Sequence, residues 1–93
     1  MVKNMKHIVK RTGHSEEFEN RKVYASVFAA CVAVRAQATD AELIAKEVSK
    51  DLSKWVLDKS SVTSHQIAQE VVKSLRLYNS DAAYLYEHHR DIS

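Results

Sequence analysis

The sequence predicts a mostly helical α+β domain: a pair of short strands followed by four helices with short connections. Three observations predict it. The chain has no proline and a single glycine, Gly13, and so lacks the punctuation of a many-turned β fold. Apolar residues recur at helical spacing from Val23 onward. The β-branched pair Ile8 and Val9 stands shortly before the glycine, where a strand would enter a reversal. A chain of 93 residues makes one domain, 1–93, with an ordered core expected over roughly 7–90.

The elements follow in order. Lys6 to Arg11 alternates weakly and reads as a short strand, with Glu16 to Phe18 pairing back as a second. Thr12 resists positive φ, so a two-residue turn is disfavoured and a slightly longer loop with Gly13 in the left-handed position is expected. Two short strands are not stable alone and must lie on something apolar. The first helix supplies it through Val23, Val27, Ala30 and Val34, with Tyr24, Phe28 and Cys31 one step round. Thr39-x-x-Glu42 reads as a capping box opening a second helix, with Ile44, Val48, Leu52 and Trp55 on one stripe. Asp58 to Ser61 is the break. Thr63 and Gln66 form another capping box, with Val62 and Ile67 placed as a hydrophobic staple, and Ile67, Val71 and Leu75 make the stripe of a third helix. Tyr78-Asn79-Ser80 ends it, with Ser80 expected to cap the next helix. That last helix is expected from about Asp81 to Arg90 through Ala83, Tyr86 and His89.

Composition excludes several functions. A content of 45% hydrophobic and 28% charged residues is that of an ordered globular protein, so disorder is not expected. No apolar run approaches the ~18 residues of a membrane span, and no apolar stretch follows the N-terminal lysines as in a signal peptide. With one cysteine and no export signal, a cytoplasmic home is expected. His7, His14, His65, His88 and His89, with Cys31, never fall in a ligand spacing, so no structural metal is expected. Cys31 lies inside the apolar face of the first helix, where a thiol is inert. Glu16 and Glu17 are neighbours on a strand and face opposite sides. Nothing points to an acid/base pair or a nucleophile, and the chain is not expected to be an enzyme.

Charge distribution is more telling than the net +2. Residues 1–15 hold Lys3, Lys6, Lys10 and Arg11 and no acid. A solvated basic edge is the plain reading of such a terminus. A reversal at Gly13, however, folds Lys10 and Arg11 back toward Lys22, which falls in the first turn of the first helix. A cationic cluster beside a helix N-terminus is suited to an anion, because free N–H groups and the helix dipole add to the side-chain charge. Thr63, at another helix start, adds a hydroxyl and free amides if that end faces the hairpin.

Val9-Lys10-Arg11-x-Gly13, then Glu16-x-Phe18, then Lys22-Val23 resembles the opening signature of the ATP-cone. This is the regulatory nucleotide-binding domain of many ribonucleotide reductases and of their bacterial transcriptional repressor. The resemblance continues through Lys22-Val23-x-x-Ser26-Val27-x-x-Ala30, Val62-Thr63-x-x-x-Ile67 with Val71 and Leu75, and Ala83-x-x-Tyr86-x-x-His89-Arg90. It spans about His7 to Arg90. Single pieces are weak signals, whereas four in order are strong.

The resemblance implies a four-helix bundle capped by a small sheet of two or three short strands, the third being Val62 and Thr63. Nucleotide, ATP or dATP with or without Mg, would lie between cap and bundle. By position, Lys10, Arg11 and Lys22 would hold phosphates, Glu16 and Thr63 would line the pocket, and Val9 and Ile67 would give it apolar wall. Arg90 matches a basic position in some members. Thr12 and His89 depart from the family's usual Asp and aromatic residue, and Glu19 stands where Asp or Asn is preferred. Glutamate is a poor N-cap, so Asn20 is expected to cap instead.

The implied function is non-catalytic allosteric sensing that controls ribonucleotide reductase activity or expression through subunit association. The implied partners are a homo-oligomer or a reductase subunit, with no membrane and no direct DNA contact. The alternative is a helical module that binds protein or DNA with its basic N-terminal face. DNA binding of that kind weakens steeply with salt and ignores free nucleotide.

Overall fold

The computed structural model describes residues 7–9, 15–17 and 19–89, with side chains from 19 to 89. Four helices dominate: α1 (Asn20–Ala33), α2 (Ala38–Leu57), α3 (Ser64–Arg76) and α4 (Ser80–His89). Three short strands accompany them: β1 (His7–Val9), β2 (Ser15–Glu17) and β3 (Val62–Thr63). The strand order is β2-β1-β3. β2 runs antiparallel to β1, with Ile8 opposite Glu16, and β3 runs parallel to it, with Val9 opposite Thr63.

The helices form a bundle with α1 packed on α2 and α3 on α4, and further contacts between α1 and α4 and between α2 and α3. α1 and α2 run antiparallel. A four-residue link joins them, and the Asn20 amide at the start of α1 donates to Ser53 Oγ near the end of α2, 3.0 Å away. The core is built of small side chains: Val23, Val27, Ala30 and Cys31 of α1 face Ala41, Ala45, Val48, Leu52 and Val56 of α2. Val71, Val72 and Leu75 of α3 and Ala82 and Ala83 of α4 complete it. Alanine at facing positions lets helix axes approach closely, so a short chain reaches interior packing density without many large side chains.

Hydrogen bonds tie the helices across this core. Ser26 on α1 and the half-buried Tyr86 on α4 share a hydroxyl–hydroxyl bond of 3.2 Å. The buried Ser74 of α3 donates to Asp51 Oδ2 of α2 at 2.9 Å.

Several local expectations are corrected. Thr39 does not open α2. Gln37 holds the N-cap position in extended geometry without a side-chain cap, and Thr39 is the exposed second residue of the helix. α1 ends abruptly and feeds the chain into α2 before Thr39 is reached. Arg35, with φ of 67°, takes the left-handed position, its N–H bonding Val32 O at 2.9 Å while Ala36 N–H bonds Cys31 O at 3.0 Å. That is a Schellman closure with arginine where glycine is usual.

At the other end of α1, Glu19 and not Asn20 holds the N-cap position, with no side-chain bond. Asn20 is drawn away by Ser53. In α2 the buried stripe runs through Ala41, Ala45, Val48, Leu52 and Val56, while Ile44 and Trp55 are its half-buried flanks. α4 is capped by Asn79, whose Oδ1 accepts from Ala82 N–H at 2.9 Å, and Ser80 is already helical. His89 is exposed.

Candidate functional site

The region where β1, β3 and the start of α3 meet is set by a short sequence. Val62 is buried and anchors β3 to the bundle. Thr63 follows in extended geometry, with φ of −94° and ψ of 161°, and α3 starts at the very next residue. Its hydroxyl accepts from Gln66 N–H at 3.0 Å, and Gln66 Oε1 accepts from Thr63 N–H at 2.8 Å. This is the reciprocal capping box that the sequence predicts. It leaves the N–H groups of Ser64 and His65 at the head of α3, where the dipole is positive.

Thr63 thus belongs to two elements at once: strand partner of Val9 and N-cap of α3. Ile67 lies one turn further along α3, half-buried against the core. Glu16 pairs with Ile8 on the other side of β1. Lys22 is exposed in the first turn of α1, its N–H bonded to Glu19 O at 3.1 Å. Val9 and Thr63 are therefore paired at one junction, Ile67 lies one turn along α3 from Thr63, and Glu16 enters the same sheet through β2. Lys10, Arg11, Gly13 and Arg90 lie outside the described residues. In sequence, Lys10 and Arg11 follow directly on Val9.

A family model described as the ATP cone domain matches residues 6–92. The chain belongs to the ATP-cone family. ATP-cones are non-catalytic regulatory modules that bind ATP or dATP as allosteric effectors, and this cone is mostly helical. Comparison with curated proteins gives no match. No described helix of the cone is long and apolar enough to cross a membrane. Among the described residues no group of three or more His, Cys, Asp or Glu side chains is placed to hold a metal ion. Cys31 is fully buried, and burial pushes its thiol pKa up, away from the reactive thiolate.

A second surface feature of the cone was not anticipated. Asn20, Arg21 and Tyr24 of α1 and Lys46, Ser49, Lys50 and Ser53 of α2 line an open groove of about 450 Å³. Lys46 and Lys50, one turn apart and opposite the core stripe, were its legible signal. The groove depends on the antiparallel pairing of α1 and α2, which periodicity alone does not specify.

Proposed function

We infer that this chain is an allosteric sensor of adenine nucleotide, taking ATP or dATP, with or without Mg, between the strands and the helix starts. Membership of the ATP-cone family over residues 6–92 carries this reading. The parallel pairing of Val9 with Thr63 supports it. This pairing sets the head of α3 beside the strand that runs into Lys10 and Arg11.

In this site Lys10, Arg11 and Lys22 bind phosphate oxygens, Glu16 and Thr63 line the pocket, and Arg90 is a further basic member of the nucleotide site. Val9 and Ile67 wall the apolar part of the ligand. A ligand that touches both Val9 and Thr63 holds the sheet against α3, and α3 packs on α4. Occupancy thereby biases how these two helices are held and how their outer faces meet another subunit. The regulated event is association, with a second copy of the chain or with a ribonucleotide reductase subunit in the cytoplasm, and its output is reductase activity or expression.

Ligand that binds only the folded state stabilises it by ~2.7 kcal/mol at a hundredfold excess over Kd. For a domain of this size that raises the melting temperature by on the order of 10 °C. Thermal-shift assays with ATP and with dATP, on wild type and on Lys22→Ala, test the reading, with size-exclusion chromatography reporting association. A large shift in wild type that shrinks in Lys22→Ala is expected. An unchanged melting curve in wild type with either nucleotide overturns the proposal.

A further inference from the structure

The capping box at the head of α3 fixes what Thr63 can offer a ligand. A threonine hydroxyl has one proton and two lone pairs. One lone pair is taken by the backbone N–H of Gln66, which also fixes the direction of the Cβ–Oγ1 bond. The Thr63 N–H, the other donor on this residue, is taken by Gln66 Oε1. Among the described residues the hydroxyl proton has no acceptor. What remains available from the Thr63 hydroxyl is therefore one O–H donor and one lone pair on a rigid mount, half-buried at the strand–helix junction. The mount is held from two sides, by pairing with Val9 and by the reciprocal bonds to Gln66.

We propose that Gln66 is a positioning residue of the nucleotide site: its side chain, accepting from Thr63 N–H, holds Thr63 in the pose in which the backbone N–H of residue 66 caps Oγ1 and the Thr63 hydroxyl proton reaches an oxygen acceptor of the bound nucleotide. The inference rests on the nucleotide-sensing reading above and adds to it a residue that need not touch the ligand. Gln66 is exposed, and its contribution lies in removing the freedom of its neighbour. A pre-aimed donor loses less entropy on binding than a rotating one. The same bonds fix the first turn of α3, so Ser64 and His65 present their N–H groups in a constant direction.

Substitutions at Thr63 and Gln66 separate aiming from stability. Thr63→Ser keeps both the cap and the O–H donor. Thr63→Asp keeps a good cap, since aspartate is at least as effective there, but has no proton to donate at neutral pH. Gln66→Ala frees the Thr63 N–H and keeps the backbone N–H bond to Thr63 Oγ1, so it isolates the part played by the side chain. Asn79→Ala removes the cap of α4, away from the junction, and controls for a simple loss of helix stability. ATP affinity is measured by isothermal titration calorimetry well below every variant's melting temperature.

Asn79→Ala is expected to bind ATP like wild type, and Thr63→Ser to keep more of the affinity than Thr63→Asp. Thr63→Asp is expected to lose roughly tenfold or more, and Gln66→Ala about threefold to tenfold. Unchanged affinity in Gln66→Ala overturns the inference, as does wild-type affinity in Thr63→Asp, which reports even if Gln66→Ala fails to fold. Equal losses in Asn79→Ala and Gln66→Ala overturn it too, because the effect is then one of stability. Failure of wild type to bind ATP is a different result and overturns the sensing reading itself.

Discussion

Replacing Arg35 tests the account of how α1 is stopped. Its φ of 67° places a side chain with a Cβ in the left-handed region, which costs a non-glycine residue ~1–2 kcal/mol. Arg35→Ala and Arg35→Gly remove the same charge from the C-terminal end of α1, so their difference isolates the Cβ. Glycine relieves the left-handed cost but gives the unfolded chain more freedom, which takes back ~0.4–1 kcal/mol. The net is ~0.5–1 kcal/mol in favour of glycine. At about 2.1 cal/mol/K per residue, the unfolding entropy of 93 residues is roughly 0.2 kcal/mol/K. The glycine variant is then expected to melt roughly 3–5 °C above the alanine variant by circular dichroism, with coincident far-UV and fluorescence transitions. If alanine melts as high as glycine, the Schellman closure formed by Arg35 and Ala36 does not set the end of α1.

The buried groups lead to two further outcomes. Tyr86 has its hydroxyl pKa raised above 10 by burial, offset in part by the bond to Ser26. The folded state thus holds this proton more tightly than the unfolded chain. The associated stability is complete below pH ~10 and is lost as pH rises from there through the folded-state value. Tyr86→Phe is expected to cost ~0.5–1.5 kcal/mol near neutrality and to flatten this alkaline loss in urea melts taken as a function of pH. An equally steep loss in the variant assigns it to other groups. Cys31 is fully buried and its thiol pKa is raised by desolvation, so a thiol reagent should label it only through opening of the bundle. Labelling should then slow when added ATP stabilises the fold. A rate equal to that of an unfolded control contradicts the burial.

The helices were legible in the sequence because their apolar spacing is dense and unbroken. Val23, Val27, Ala30 and Cys31 were each expected on the inner face of α1 and are buried there. The Thr63–Gln66 box was legible for a different reason: both partners are local, three residues apart, and nothing distant competes for them. Where a distant partner intervened, local reading failed. Asn20 was expected to cap α1, but Ser53, 33 positions away in sequence, claims its amide. Thr39 and Glu42 have the spacing of a box, yet α2 begins before them because the closure at Arg35 uses an arginine, and no glycine marks it.

The exact face of α2 was also missed by a small rotation. Ile44 and Trp55 are larger than Ala41 and Ala45, and size drew the expected stripe toward them. The bundle instead buries the alanines, where close helix approach is gained. For the candidate site, a third strand at Val62 and Thr63 was implied only by the resemblance, and its register beside Val9 comes from the structure alone. Parallel neighbours so far apart in the chain leave no local trace.

The place of β1 between β2 and β3 has a consequence for the order of events during synthesis. A ribosome that has released only α1 and α2 has already made Lys10, Arg11 and Lys22, but not the neighbour that Val9 requires. A nascent or clipped chain ending inside α2 can pair β1 with β2 but lacks the strand that α3 carries to the other side of β1. Effector recognition of the kind proposed here is therefore a property that arrives late, only once α3 has emerged.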